Sequence, residues 1–315
     1  VTAPPSKSLA HREVLCAALA QGTSHIENLE FSKDISATLA AAGQLCARVE
    51  TSADDALVEG LGRFRPVTGP VDCCESGSTL RFLIPLASLT GQAVTFVGRG
   101  RLMERPQSVY EQLYRERNLH FEQTPAGLTV AGTLPSGAYT VAGNVSSQFI
   151  SGLLFALPLL AGDSVLHLLP PVESRSYIEM TRAAQAAFGV GSQWLDDVTL
   201  AIPGGQHYRP SHYTVEGDYS QAAFLAVLGA VRGGVTIAGL AEKTLQGDAV
   251  ILDILRRCGA KFARTEAGLT FEKAPLRGVD IDLADCPDLG PVLMVLGLLC
   301  EGKTVIRNAE RLRIK

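Results

Sequence analysis

The sequence predicts an α/β protein with inverted layering, helices packed inside and sheets outside, built from two-helix repeats of about 70 residues. Three observations predict it: glycines that recur at near-constant spacing, helix-length segments apolar on every side, and short alternating β-branched runs between them.

Five segments share one pattern, a polar cluster followed by an apolar stretch, a glycine and a short alternating run. They start at Lys7, Ser76, Ser146, Asp218 and Asp288. Their closing glycines, Gly22, Gly91, Gly162, Gly234 and Gly302, are 69, 71, 72 and 68 residues apart. A second helix is expected in each of the first four units, within 34–46, 105–118, 176–189 and 247–259. The turns that end these helices, Cys46, Asn118, Gly189 and Gly259, are 72, 71 and 70 residues apart.

The first helices carry little amphipathic stripe. FISGLLFALPLLAG, QAAFLAVLGAV and PVLMVLGLLC are apolar almost all round, and such a helix is buried on every side. The longest mostly apolar stretches, 149–161 and 291–300, fall short of the ~18 residues a membrane span needs. Bundled helices inside sheets satisfy both facts. Polar clusters at the start of each unit then gather helix N-termini, whose free N–H groups and positive dipole ends favour anions.

Dividing 315 residues by ~70 gives about 4.5 units. The expected organisation is a complete three-unit domain, 6–212, and a partial second domain, 1–5 plus 213–315. With six units in all, roughly 105 residues would follow Lys315. The Gly/Pro/His-rich stretch 203–212 is the expected linker.

Composition narrows the function classes. Hydrophobic residues are 46% and charged residues 19%, with a formal net charge of −4, so a packed protein is expected rather than a general nucleic-acid binder. An anionic ligand must be met by individually positioned Lys and Arg. Seven cysteines form no CxxC pairs and read as reduced core thiols of a cytoplasmic protein. The six histidines show no metal-ligand spacing, and neither a P-loop nor a Rossmann fingerprint occurs. No metal, nucleotide or other cofactor is expected, and no membrane partner.

Several helix starts carry candidate chemistry, each with a plainer account beside it. Lys7, Ser8 and Arg12 open the first helix, with Ser8 and Arg12 on one face; they read as an oxyanion site or as a cap with solvated bases. Gly77, in Ser76-Gly77-Ser78-Thr79 with Arg81 one turn on, lets a ligand approach backbone N–H groups, or the segment is only a cap. Arg105 precedes Pro106, a natural first helical residue, where a base opposes the helix dipole unless an anion joins it. Ser146, Ser147 and Gln148 precede a buried helix as a binding cluster or an N-cap. Ser174 and Tyr177 read as ligands, or as a cap and a half-buried tyrosine. Asp288 is an N-cap, or a general base in a cationic cleft.

Taken together, the motifs resemble the 3-phosphoshikimate 1-carboxyvinyltransferase (EPSP synthase) family. PSKSLAHR is similar to its PGSKSxSxR signature and ESGSTLRFL to its second motif. RLMERP, SSQFISGLL, ESRSYIEM, VEGDYSQAAF, QGD, PDLGPVLMVL and RNAERLRIK follow in the family's order. Pro5, Ala10 and His11 depart from the glycine, serine and asparagine usual in the first signature. Arg311 stands where some members have an asparagine that contacts the acceptor.

The resemblance implies two inside-out domains of the enolpyruvyl transferase fold with an active site in the cleft between them. It implies transfer of the enolpyruvyl group of phosphoenolpyruvate to the 5-hydroxyl of shikimate 3-phosphate by a monomeric, cofactor-free transferase. Lys7 would touch both substrates, and Ser8 and Arg12 would hold the shikimate phosphate. Ser146, Ser147, Gln148, Ser174 and Tyr177 would cradle that phosphate and the ring. Gly77, Arg105 and Gln148 would contact phosphoenolpyruvate. Asp288 would be the base at the 5-hydroxyl, and Lys315 would contact the acceptor beside it. The family continues past the RIK segment with a catalytic glutamate and further basic residues. The 315-residue chain alone is therefore expected to bind shikimate 3-phosphate weakly and not to turn over. UDP-N-acetylglucosamine enolpyruvyltransferase is the neighbouring alternative, but it carries a cysteine in the loop that here reads GRGRLMERP. A non-catalytic anion-binding repeat domain is the alternative of a different class.

Overall fold

A computed structural model describes residues 1–313. The chain forms two compact units, a larger one of Lys7–Glu173 and Ile178–Val215 and a smaller one of Val1–Ser6, Ser174–Tyr177 and Glu216–Lys315.

The larger unit repeats one pattern three times. α1 (Lys7–Leu19) leads to β1 (Gln21–Glu27), α2 (Lys33–Leu45), β2 (Ala47–Thr51) and β3 (Ala56–Leu61). The short strand β4 (Val71–Asp72) precedes α3 (Gly77–Ala87), β5 (Val94–Val97), α4 (Ser108–Glu116), β6 (His120–Thr124) and β7 (Gly127–Ala131). β8 (Gly137–Ala142) precedes α5 (Ser147–Ala156), β9 (Ser164–Leu169), α6 (Arg175–Ala187), β10 (Gln193–Trp194) and β11 (Thr199–Ile202), and β12 (His212–Thr214) ends the series.

The three sheets share one strand order: β4-β5-β7-β6, β8-β9-β11-β10 and β12-β1-β3-β2. In each, the leading strand pairs parallel with the next and the remaining pairs are antiparallel. A parallel pair needs a crossover, and α3 and α5 provide it for the second and third sheets. The leading strand of the first sheet is β12, which returns from the end of the third repeat, so the unit closes on itself.

The crossover helices are the core. α1 is buried from Leu9 to Leu19, α3 everywhere except Ser78 and Arg81, and α5 everywhere except Gln148. Strands such as β3 and β9 bury alternate residues, as expected of sheets with one face on a core. The second helix α4 buries only Tyr110, Leu113 and Tyr114. The Tyr110 hydroxyl donates to the carbonyls of Arg81, at 2.8 Å, and Phe149, at 3.0 Å, tying α3 to α5. Gly152 makes that approach possible, because a Cβ there would sit 2.2 Å from the Tyr110 hydroxyl and 2.4 Å from the Arg81 carbonyl oxygen.

The smaller unit contains the fourth pattern and the start of a fifth. α7 (Tyr219–Arg232), β13 (Val235–Ile237), α8 (Ile251–Cys258), β14 (Lys261–Thr265) and β15 (Gly268–Glu272) form the fourth, with strand order β13-β15-β14. Thr2 bridges Ala238 in parallel, so the amino-terminal segment stands where the other sheets have their leading strand. β16 (Asp280–Asp282) then pairs parallel with β17 (Val305–Arg307) across α9 (Gly290–Leu299). Tyr219, Ala223, Leu255, Phe271 and Leu293 belong to the core of this unit.

Three expectations need correction. α7 and α9 are not buried all round: they pack through one face, while Phe224, Leu228, Met294 and Leu298 are exposed. Among the described residues no third crossover helix covers those positions, as each crossover helix of the larger unit is covered. Pro106 does not start α4, which begins at Ser108 behind the N-cap residue Gln107. Arg105 instead ends the 3-10 turn Leu102–Glu104 in an extended conformation, so it does not sit on the first turn of α4. Finally, the stretch 203–212 is not a free linker. Gly204 N–H donates to Asp163, Gln206 exchanges bonds with Gly191, Tyr208 is buried, and His212 already belongs to β12. Of the recurring glycines, Gly22, Gly91, Gly234 and Gly302 turn with positive φ, whereas Gly162 does not.

Candidate active site

In the larger unit the residues that escape burial on α3 and α5 are the ones that meet. Gln148 Nε2 donates to Ser78 Oγ at 2.9 Å, and Arg81 Nη1 donates to Gln148 Oε1 at 2.7 Å. Arg81 Nε donates to Gln107 Oε1 at 3.1 Å, and its guanidinium lies 4.8 Å above the Phe149 ring. Gly77 opens this corner. A Cβ there would lie 3.2 Å from Arg105 Nη1, 3.5 Å from Gln148 Oε1 and 3.7 Å from Arg81 Nη1. Thus Gly77, Arg105 and Gln148, named from the sequence for one ligand, come together here with Arg81.

Two guanidinium groups converge on this point, yet neither has a carboxylate partner among the described residues; Arg81 donates to the side-chain amides of Gln107 and Gln148 and to the Pro106 carbonyl. Burial lowers the Arg81 pKa to about 10, with the neighbouring Arg105 charge pushing the same way. It therefore stays charged at neutral pH. The first turns of α3 and α5 add their dipole ends, since Ser76 caps α3 and Ser146 caps α5. Ser147, beside that cap, is buried. The arrangement is an anion cradle.

The first helix contributes differently. Lys7 Nζ lies 2.9 Å from Asp34 Oδ2, in the first turn of α2, and remains half-exposed. Ser8 is partly buried. Arg12 is buried, donating from Nε to Thr181 Oγ1 at 2.8 Å and from Nη1 to the Ser8 carbonyl at 2.5 Å. His11, which departs from the family asparagine, is buried against Thr38 Oγ1 at 2.7 Å, and Thr38 and Thr79 continue the chain of hydroxyls to Ser76. Burial, reinforced by the Lys7 charge, lowers the His11 pKa to about 3, so the ring is neutral.

The smaller unit brings Ser174, Tyr177 and Asp288 together. Ser174 is buried with φ of 56°, and its N–H donates to Asp285 Oδ1 at 2.8 Å. The left-handed conformation is uncommon for a serine and marks a position held by its surroundings. The Tyr177 hydroxyl donates to Asp288 Oδ2 at 2.8 Å and lies 3.3 Å from Asp248 Oδ2. Asp288 is not the N-cap its position suggests. It lies inside the 3-10 turn Pro287–Leu289, and neither that turn nor α9 has a side-chain cap. Lys315 lies outside the described residues, as does the side chain of Arg311.

Sequence reasoning passed over two members of these groups. In the sequence Arg81 is only a base one turn into α3; its partners Pro106 and Gln107 precede α4, and Gln148 lies on α5. Asp248 stands in the QGD motif, whose glycine approaches Ser176 so closely that a Cβ would be 2.4 Å from its hydroxyl. That motif was the available signal.

Comparison with known proteins agrees with these motifs. The EPSP synthase (3-phosphoshikimate 1-carboxyvinyltransferase) family matches residues 1–315. The chain is 43% identical over 321 residues to the 3-phosphoshikimate 1-carboxyvinyltransferase of Clostridium kluyveri, covering 100% of this chain and 74% of that protein. It is 41% identical over 319 residues to the protein of the same name from Clostridium perfringens, covering 100% and 75%. The fold is similar to that of EPSP synthase from Acinetobacter baumannii, with a TM-score of 0.80 at 21% identity over 99% of this chain and 76% of that one. Family match, relatives and architecture converge: the chain belongs to the EPSP synthase family.

Proposed function

We infer that this protein is a transferase that moves the enolpyruvyl group of phosphoenolpyruvate to the 5-hydroxyl of shikimate 3-phosphate, releasing phosphate. The observation that carries the reading is the pair of guanidinium groups, Arg81 and Arg105, converging without a carboxylate on Gly77 in a chain of this family. A dianionic or trianionic small molecule supplies the missing charge.

The roles proposed for individual residues rest on the family resemblance and on the chemistry the transfer requires. Arg105, Gln148, the backbone at Gly77 and Lys7 hold the carboxylate and phosphate of phosphoenolpyruvate. Ser8, Arg12, Ser146, Ser147, Gln148, Ser174 and Tyr177 hold shikimate 3-phosphate, with Lys315 beside its reacting hydroxyl. Asp288 takes the 5-hydroxyl proton as that oxygen attacks C2 of the enol phosphate, while a proton is delivered to C3. Loss of phosphate and of a C3 proton then restores the double bond in the product. The half-buried Asp288 carboxylate, oriented by the Tyr177 hydroxyl, supports the assignment of the base.

We further propose two domains on the division 6–212 against 1–5 plus 213–315, with the boundary shifted to the end of β12 so that this strand stays whole in the first sheet, and a cytoplasmic monomer that takes small molecules rather than nucleic acid or membrane. Its seven cysteines are free thiols, and burial pushes Cys46 and Cys286 up to about 12. No helix among the described residues is long and apolar enough to cross a membrane.

The test is phosphate release and product formation by the protein expressed from its native gene, with phosphoenolpyruvate and shikimate 3-phosphate. Turnover that depends on both substrates is expected. A folded protein that instead accepts UDP-N-acetylglucosamine, or binds both substrates without turnover, would overturn the reading.

A further inference from the structure

The sheet closed by the returning strand carries a group of side chains that enolpyruvyl transfer does not use. β1 and β12 run parallel with His25 opposite His212 and Glu27 opposite Thr214. Residues two apart on a strand share a face, so His25 and Glu27 point the same way and His212 joins them from the neighbouring strand. The two imidazoles stack with centroids 5.0 Å apart and planes at 23°. Glu27 Oε1 lies 3.0 Å from His212 Nε2 and 3.8 Å from His25 Nδ1. One ligand atom from each of the three residues falls within 4.8 Å of the others.

We propose that His25, Glu27 and His212 form a binding site for a divalent transition cation of the zinc type. A tetrahedral zinc with ligands at ~2.0–2.1 Å has ligand-to-ligand edges of roughly 3.3–3.4 Å. The two edges to Glu27, 3.0 and 3.8 Å, bracket that value, and all three ligand atoms lie within 4.8 Å of one another. Two imidazoles and a carboxylate favour zinc, cobalt, nickel or copper over magnesium and calcium, which prefer all-oxygen sets. Water completes the fourth position.

Two further contacts set the orientation such a site needs. His25 Nε2 lies 2.7 Å from Asp55 Oδ2, which leaves Nδ1 as the ligand and fixes the ring. Metal-binding histidines commonly hold their other nitrogen against a carboxylate in this way. The Thr214 hydroxyl donates to Glu27 Oε2 at 2.7 Å and turns Oε1 toward the histidines. The side chains are 33%, 38% and 62% exposed for His25, Glu27 and His212, so a cation reaches them directly from solvent. His212 is 187 residues from His25 in sequence, beyond the reach of any spacing motif.

The experiment is calorimetric titration of the untagged protein with zinc chloride, paralleled by cobalt(II) absorption. One zinc per chain is expected, together with the intense visible bands of four-coordinate cobalt. His25→Ala, Glu27→Gln and His212→Ala should each weaken zinc binding at least tenfold, and Asp55→Asn by a smaller factor. His120→Ala, at an unrelated surface histidine, should change nothing. All variants are first matched to wild type in metal-free thermal melting, so a folding defect is separated from ligand loss. Absence of stoichiometric binding, or binding that survives His212→Ala (an adventitious ion only), would overturn the proposal.

Discussion

The Tyr177 hydroxyl donates a 2.8 Å hydrogen bond to Asp288 Oδ2 across 111 positions of sequence. A carboxylate acting as a base must present an oxygen to the proton it removes, and the Tyr177 hydroxyl orients this carboxylate through Oδ2. Tyr177→Phe should lower kcat about tenfold while leaving the thermal midpoint nearly unchanged. Asp288→Asn should lower kcat by roughly 10²–10⁴, the usual contribution of general base catalysis. Steady-state kinetics of both variants checks the pair, and near-wild-type turnover by Asp288→Asn would remove it from the mechanism.

Gly77→Ala adds a methyl group 3.2 Å from Arg105 Nη1 and 3.5 Å from Gln148 Oε1. These are far ends of flexible side chains, so they yield with little cost to folding. The expected result is a higher KM for phosphoenolpyruvate, a smaller rise for shikimate 3-phosphate through Gln148, and an unchanged melting temperature. Equal rises in both KM values would mean that Gly77 does not belong to one substrate's cradle.

Gly152→Ala is the contrasting case. Its methyl group would meet the Arg81 carbonyl at 2.4 Å, and a backbone between two core helices does not yield like a side-chain tip. Overpacking of this kind costs about 1–3 kcal/mol. Urea unfolding should show the loss, together with weaker phosphoenolpyruvate binding because Arg81 moves with its helix.

Stability should fall in acid because of His11. Its pKa is lowered from 6.5 to about 3 by burial first and Lys7 second. The unfolded chain thus binds a proton that the folded chain refuses, so stability declines as pH drops below 6.5 and levels off near 3. Between pH 7 and pH 5 the loss from this one ring is about 2 kcal/mol. His11→Asn, the residue usual in the family signature, should remove that part of the pH dependence in chemical denaturation. An identical acid slope in the two proteins would contradict the buried, neutral ring.

Glu13 works in the opposite direction. Burial raises its pKa from 4.5 to about 8, outweighing Arg12 and the Tyr213 hydroxyl. The folded state keeps a proton that the unfolded state releases, so this contribution is full below pH 4.5 and is lost as pH rises toward 8. Glu13→Gln should leave stability at pH 4.5 little changed and raise it at pH 8, measured by denaturant midpoints at the two pH values.

The sequence by itself determined the repeat, the helices and the family. Apolar faces, left-handed glycines and helix-start clusters are local signals, each complete within one helix and its turn. They made Gly77, Arg105, Gln148, Ser174, Tyr177 and Asp288 legible as candidates. Only the tertiary structure decided which candidates meet and what surrounds them. Arg81 reaches Gln148 because Gly152 lets α3 and α5 touch. Asp288 accepts from a tyrosine instead of capping α9. His25 finds His212 because the chain returns after three repeats to complete its first sheet. The reason is physical. Helices and turns arise from neighbours a few residues apart, whereas these encounters depend on closure of whole repeats against one another, which no short window of sequence encodes.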